Sequence, residues 1–259
     1  MARYNDIDID DWKNYGDIET DSLWIIDKRD NSGAHSGEYH GNFVPQIPYQ
    51  LFSRYTKQGD WILDPFMGSG TSLIEAQRLK RNAVGIDLQQ KIIDVAKNKI
   101  AEESDGESEI ITICGDSSTV DIKNFGVEKV QFVIFHPPYW DIIKFSDNPC
   151  DLSNCGNLED FLSSFGKVID NTTAYLEKNR YCACVIGDKY ANSQVVPLGF
   201  YCMNLFTERN FLLKAIIVKN FGETKGKANQ QAIWRYRALK NDFYVFKHEY
   251  IFVFKKIKN

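Results

Sequence analysis

A chain of 259 residues, 43% hydrophobic and 25% charged, can bury a full core and is expected to form one α/β domain over residues 1–259. It has no apolar run near the roughly 20 residues that span a bilayer, and it opens on the acidic stretch MARYNDIDIDDW, unlike a basic, apolar leader, so a cytoplasmic protein with no membrane partner is expected. The net charge of −4 counts against binding nucleic acid by bulk charge, yet acids dominate before Trp61 and bases after Phe211, which is compatible with one basic face.

Short apolar runs alternate with helical patterns along the chain. Strands are expected over 60–64, 82–87, 109–114, 130–135, 181–187, 212–219 and 249–255, and helices over 71–80, 90–103, 157–176 and 198–208. The continuous apolar character of VQFVIF suits a strand covered on both faces. This alternation predicts a doubly wound, mostly parallel sheet, whose ligands lie at the carboxyl ends of its strands. Six cysteines, at 114, 150, 155, 182, 184 and 202, form no CxxC and have no histidine at ligand spacing, so neither a metal site nor a disulfide framework is expected.

Four strand ends carry the chemistry. After WIL comes DPFMGSGT, in which Gly68 and Gly70 allow a tight turn into the helix near Thr71 and leave its free amides for an anion. About 20 residues on, Asp87 stands where nucleotide-binding sheets place the carboxylate that accepts ribose hydroxyls. The third strand ends at Asp116 and the fourth in HPPYW. A full GxGxxG is absent, and GETKGKA fails the phosphate-loop pattern, which leaves a nucleoside with an anionic group and no pyrophosphate. S-adenosylmethionine fits: its amino acid end by Gly68, Ser69 and Gly70, its ribose on Asp87, its adenine near Asp116.

These stretches resemble the amino-group DNA methyltransferases. DPFMGSGT looks like their motif I, which brings Asp64, Pro65, Phe66 and Thr71 into the cofactor site. GIDL resembles motif II, CGD the acidic residue of motif III, and HPPYW motif IV, usually (Asp/Asn/Ser)-Pro-Pro-(Tyr/Phe/Trp). HGNFVPQIPYQLF is similar to motif X, which implies Phe43, Pro45 and Ile47 against the methionine end of the cofactor, and HEYIFVFKK is like the family's closing strand. The resemblance implies a Rossmann-like methyltransferase sheet, DNA as partner with room for a cognate restriction or specificity partner, and methyl transfer to adenine N6 or cytosine N4. RNA or a protein glutamine amide as acceptor, and an inactive DNA-binding subunit, are the alternatives.

Two features depart from that pattern. His136 stands where the family has Asp, Asn or Ser. An aromatic amine is a poor nucleophile because its lone pair is delocalised, so acceptors must hold its hydrogens. The Pro137 carbonyl, fixed by the rings of Pro137 and Pro138, is one candidate, and neutral His136 is the other. Tyr139 is the expected platform for a base turned out of the duplex, and Trp140 is assigned to the same surface or to packing. The second departure is the lack of a large target-recognition segment. The stretch 220–243 is expected as a DNA-contacting loop, with Lys225, Lys227, Arg235 and Arg237 for phosphates and Trp234 for bases.

Overall fold

The strand VQFVIF sets the architecture. Successive side chains of a strand point to opposite faces, and here Val133 and Phe135 enter one core while Phe132 and Ile134 enter another, all four fully buried. A sheet covered on both sides follows. The computed structural model describes residues 4–37, 39, 41–104, 106–221 and 231–257.

The elements in chain order are β1 (Leu23–Trp24), α1 (Gln46–Tyr55), β2 (Trp61–Asp64), α2 (Thr71–Arg78), β3 (Asn82–Asp87), α3 (Gln90–Glu102), β4 (Ile110–Cys114) and β5 (Val130–Phe135). Then come α4 (Leu158–Ala174), β6 (Leu176–Ile186), β7 (Lys189–Ala191), β8 (Gln194–Val196), α5 (Leu198–Glu208), β9 (Phe211–Asn220), α6 (Gln231–Lys240) and β10 (His248–Lys256). Eight strands form one sheet in the order β1-β9-β10-β6-β5-β2-β3-β4, and β7 pairs with β8 as a separate hairpin. Only β10 runs against its neighbours, in register with β6 through Phe252 and Cys184 and with β9 through Glu249 and Lys219. Beneath one face lie Phe161, Phe165 and Phe206 of α4 and α5; beneath the other lie Leu51, Phe52 and Leu73 of α1 and α2.

The winding reverses between β2 and β5. From β2 the chain proceeds outward to β3 and β4, whereas β5 leads the opposite way to β6, and the two inner strands pair in parallel through Ile62 with Phe132 and Leu63 with Val133. In an open sheet that reversal leaves a crevice beyond the carboxyl ends. The glycine turn follows β2 and the double-proline corner follows β5, so topology alone sets them side by side.

The doubly wound, mostly parallel sheet is the one expected, with local differences: the short edge strand β1 is added, β6 begins five residues early at Leu176, and three further segments depart from expectation. Residues 46–55 form a helix, since Ile47, Leu51 and Phe52 recur at helical spacing and are buried. Residues 189–196 add the hairpin. Residues 231–240, expected within a loop, are helical: QAIWRYRALK is free of Gly and Pro and rich in good helix formers. Residues 222–230, with Lys225 and Lys227, lie outside the described residues.

Candidate active site

The crevice opens into a cavity of about 870 Å³, lined on one side by Gly68, Asp87 and Asp116 and on the other by His136, Pro137 and Tyr139. That volume suits a drug-sized ligand with room beside it.

The first wall is built mainly from backbone. Gly68 and Gly70 adopt φ of +49° and +86°, open to glycine at little cost. A Cβ at Gly68 would lie 2.9 Å from the Tyr39 ring, and one at Gly70 3.2 Å from Ala96 of α3. The turn is pinned from β3: the Gly68 amide donates to Asp87 Oδ2 at 3.1 Å, and the Gln89 amide to Oδ1 at 2.9 Å. Asp64 accepts from the Phe66 amide at 2.9 Å and from the Ser72 hydroxyl. Burial pushes the Asp64 carboxyl up to about 7 and also raises that of Asp87, because desolvation penalises the charged form. Asp116 is half-buried and accepts from the Ser118 amide at 2.8 Å.

A strap of chain before α1 covers this wall. The Arg29 guanidinium donates to the carbonyls of Phe43 and Ser36 at 2.8 and 3.1 Å, and Asn42 donates to the Ser69 hydroxyl at 2.6 Å. Tyr39 leans against Gly68 and meets Phe145, ring centroids 6.3 Å apart. Phe43 reaches the other wall, its ring 4.9 Å from that of His136.

The second wall combines a rigid corner with a buried charge pair. His136 is partly buried and lines the cavity, with Tyr139 edge-on at 5.8 Å. Burial holds the imidazole down at about 4, opposed by the Glu249 carboxylate and assisted by the Lys219 ammonium, so the ring is neutral near pH 7. The Tyr139 hydroxyl donates to Glu249 Oε2 at 2.7 Å, and the Lys219 ammonium donates to Oε1 at 2.8 Å. Lys219 and Glu249 are 4% exposed each, and both line the cavity. Burial and the adjacent carboxylate together raise the Tyr139 phenol well above its usual range.

Among the residues expected from sequence, Phe43, Asp64, Pro65, Phe66, Gly68, Thr71, Asp87, Asp116 and the stretch 136–139 share this cavity. Pro45, Ile47, Ser69 and Gly70 do not line it; Ile47 is fully buried beneath the sheet. Trp140 also lies off the cavity: its indole donates to the Cys155 carbonyl at 2.8 Å, and Lys189 sits 3.9 Å over its ring, the arrangement of a packed side chain. On α6, Arg235 and Arg237 are exposed, and Arg237 stacks over Trp234 at 5.3 Å. Sequence reasoning missed Arg29, Tyr39, Asn42, Lys219 and Glu249. For the last two a signal existed, a charged residue set in each of the apolar strands IIVK and HEYIFVF.

The cavity fits S-adenosylmethionine on its own geometry. The glycine turn at Gly68 and the partly buried Asp87 carboxylate, both lining the cavity, suit a nucleoside carrying an amino acid, and Phe43 and Phe66 offer apolar surface.

The family model described as DNA methylase, of the N6/N4 methyltransferases, matches residues 3–98. Type II methyltransferase M.MthZI of Methanothermobacter thermautotrophicus is 36% identical over 66 residues, 26% of this chain and 19% of that one. M2.DpnII of Streptococcus pneumoniae is 38% identical over 72 residues, 26% and 27% of the two chains. M.Cfr9I of Citrobacter freundii is 35% identical over 82 residues, 32% and 26%. The matched stretches thus span about a quarter of these curated relatives. Among solved structures, TrmN from Thermus thermophilus superposes with a TM-score of 0.53 at 18% identity, covering 84% of this chain and 50% of that one. A SAM-dependent methyltransferase from Methanosarcina mazei gives 0.52 at 14% identity, covering 81% and 98%. The fold is that of the SAM-dependent methyltransferases, and the sequence matches support the N6/N4 DNA methyltransferase family.

Proposed function

We propose that this chain, with a family match over residues 3–98 and a two-walled cavity that extends past it to residues 136–139 and 249, transfers a methyl group from S-adenosylmethionine to the exocyclic amine of adenine or cytosine in DNA. One observation carries the reading: the parallel pairing of β2 with β5 brings the glycine turn and the double-proline corner into a single cavity.

S-adenosylmethionine supplies an electrophilic methyl when bound, and the side chains divide the remaining work. Asp87 and Asp116 hold the nucleoside; Gly68 gives close approach of backbone to its amino acid end. Tyr139 and Phe43 flank His136 and offer ring faces to an extruded base. The Pro137 carbonyl and the neutral imidazole of His136 accept the amine hydrogens, which turns the nitrogen lone pair away from the ring and toward the methyl carbon. Most of the acceleration comes from that alignment, since proximity and orientation can supply roughly 7–11 kcal/mol of a barrier. The exposed arginines of α6 serve as phosphate contacts, and Lys225 and Lys227 are proposed for the same role.

The test offers methyl-labelled S-adenosylmethionine with DNA, RNA and protein acceptors side by side. Label in DNA alone supports the proposal; label in RNA or in a glutamine amide alone refutes it.

A further inference from the structure

The Lys219–Glu249 pair is an expensive thing to bury, and it does not lie in the packed interior but in the wall of the cavity. The two residues face each other across β9 and β10 in register, which fixes the pair without help from any loop. Both Glu249 oxygens are engaged, one by Lys219 and one by Tyr139, whose ring stands edge-on to His136. A chain of four side chains therefore runs from β9 through β10 to the double-proline corner.

We propose that Glu249, seated on Lys219, is the positioning residue of the base subsite: it fixes the Tyr139 platform and supplies the negative charge that a neutral histidine at 136 lacks. This rests on the methyltransferase reading above.

The chemistry requires such a charge. The lone pair of the exocyclic nitrogen forms the bond to the methyl carbon as the carbon–sulfur bond breaks and its electron pair stays on sulfur. The nitrogen then carries one proton too many, together with a positive charge. That proton passes to the imidazole of His136 and from there to solvent. A carboxylate at 136 would neutralise the charge directly, whereas a histidine becomes an imidazolium and needs a counter-charge. Around it stand Phe43 from the strap and Tyr139 from its own corner, and Lys219 of β9 and Glu249 of β10 line the same cavity. Glu249 alone among them favours the imidazolium, and its influence on His136 exceeds that of Lys219. Lys219 holds the Glu249 carboxylate in place, its ammonium donating to Oε1 at 2.8 Å from the register-paired position on β9.

The test compares wild type with Glu249→Gln and with the double variant Lys219→Met/Glu249→Gln, which leaves no unpaired buried charge and guards against misfolding. Glu249→Gln removes the charge and one of the two acceptor oxygens, and in the double variant, where Lys219 no longer donates, the remaining oxygen is left for the Tyr139 hydroxyl. Three readouts are taken: S-adenosylmethionine affinity, single-turnover methyl transfer, and the ring resonance of His136 followed from pH 7 downward by NMR, assigned with His136→Asn. Both variants are expected to hold the cofactor within about threefold of wild type and to transfer at least about tenfold more slowly, the lower range of acid–base contributions. The protonation of His136 moves to lower pH in Glu249→Gln, because the group that raises its pKa is gone. Transfer at the wild-type rate in the double variant, or an unmoved His136 titration in Glu249→Gln, overturns the proposal. If wild type methylates no acceptor, the parent reading fails by itself, while the resonance still decides whether Glu249 governs His136.

Discussion

The two walls of the cavity are built by different means. The first, the donor wall of the proposed reaction, is built mainly from residues 64–87, two successive strand ends and one turn, held by backbone amides that donate to Asp64 and Asp87, and the second is its proposed base wall. The base wall joins a corner at 136–139 to Glu249, 110 residues along the chain from Tyr139, through side chains alone. The same desolvation acts on both with opposite results: it pushes the donor wall's carboxylates toward their protonated forms and the base wall's imidazole toward its neutral form. The family match ends at residue 98 and so takes in residues 64–87 of the donor wall, but neither Asp116 nor the base wall. On the second wall a histidine, His136, stands where the resembled pattern has Asp, Asn or Ser.

Substitutions should separate the walls. Tyr139→Ala is expected to cut methyl transfer by about 100-fold, the upper range for loss of one aromatic stacking surface, with cofactor affinity nearly unchanged. Rapid-quench transfer and cofactor titration on the same preparation check it, and a large loss of cofactor affinity would erase the distinction between walls. Asp87→Ala should do the reverse, weakening cofactor binding by about 10–100-fold for the loss of charged hydrogen bonds while the rate at saturation stays close to wild type. Gly68→Ala forces a Cβ into a left-handed turn 2.9 Å from Tyr39 and should cost about 1–2 kcal/mol in denaturant melts, together with some cofactor affinity.

The pH dependence is a subtler probe. The acceptor form of His136 is present above about 4 and is lost as pH falls through that value, so transfer should show no acid limb from this group between pH 8 and 5.5. A limb near its ordinary 6.5 would show that the imidazole is solvated. In stability the walls oppose each other. His136, depressed from 6.5 to about 4, contributes stability that is lost as pH falls through that window. Asp64, raised from 3.8 to about 7, contributes stability that is present at low pH and lost as pH rises to 7. Asp64→Asn should therefore stabilise the protein more at pH 8 than at pH 5, a difference that calorimetry can resolve.

Legibility in the sequence follows the same division. The strand bounds 82–87 and 130–135 and the helix 198–208 agree with the structure, because each is a strongly patterned run between clear breakers. The glycine turn and Asp87 were readable because their chemistry is local. Lys219 and Glu249 stand out singly as charges in apolar strands, but their pairing is not legible, since nothing in one strand says which residue of the next faces it; register supplies that, and register is set by the whole sheet. Helix α6 was read as a loop because glycines and lysines just before it dominated the composition. For Trp140, which the sequence leaves between a base-binding surface and packing, the positive φ and the bond to Cys155 decide for packing.

The claim that both walls serve one reaction is met most directly by mass spectrometry of deoxynucleosides from DNA incubated with the protein and methyl-deuterated S-adenosylmethionine. The account predicts the labelled methyl on N6 of deoxyadenosine or N4 of deoxycytidine, and its disappearance in Tyr139→Ala that still binds cofactor. Label on a ring carbon or ring nitrogen, or undiminished amine methylation by Tyr139→Ala, would contradict it.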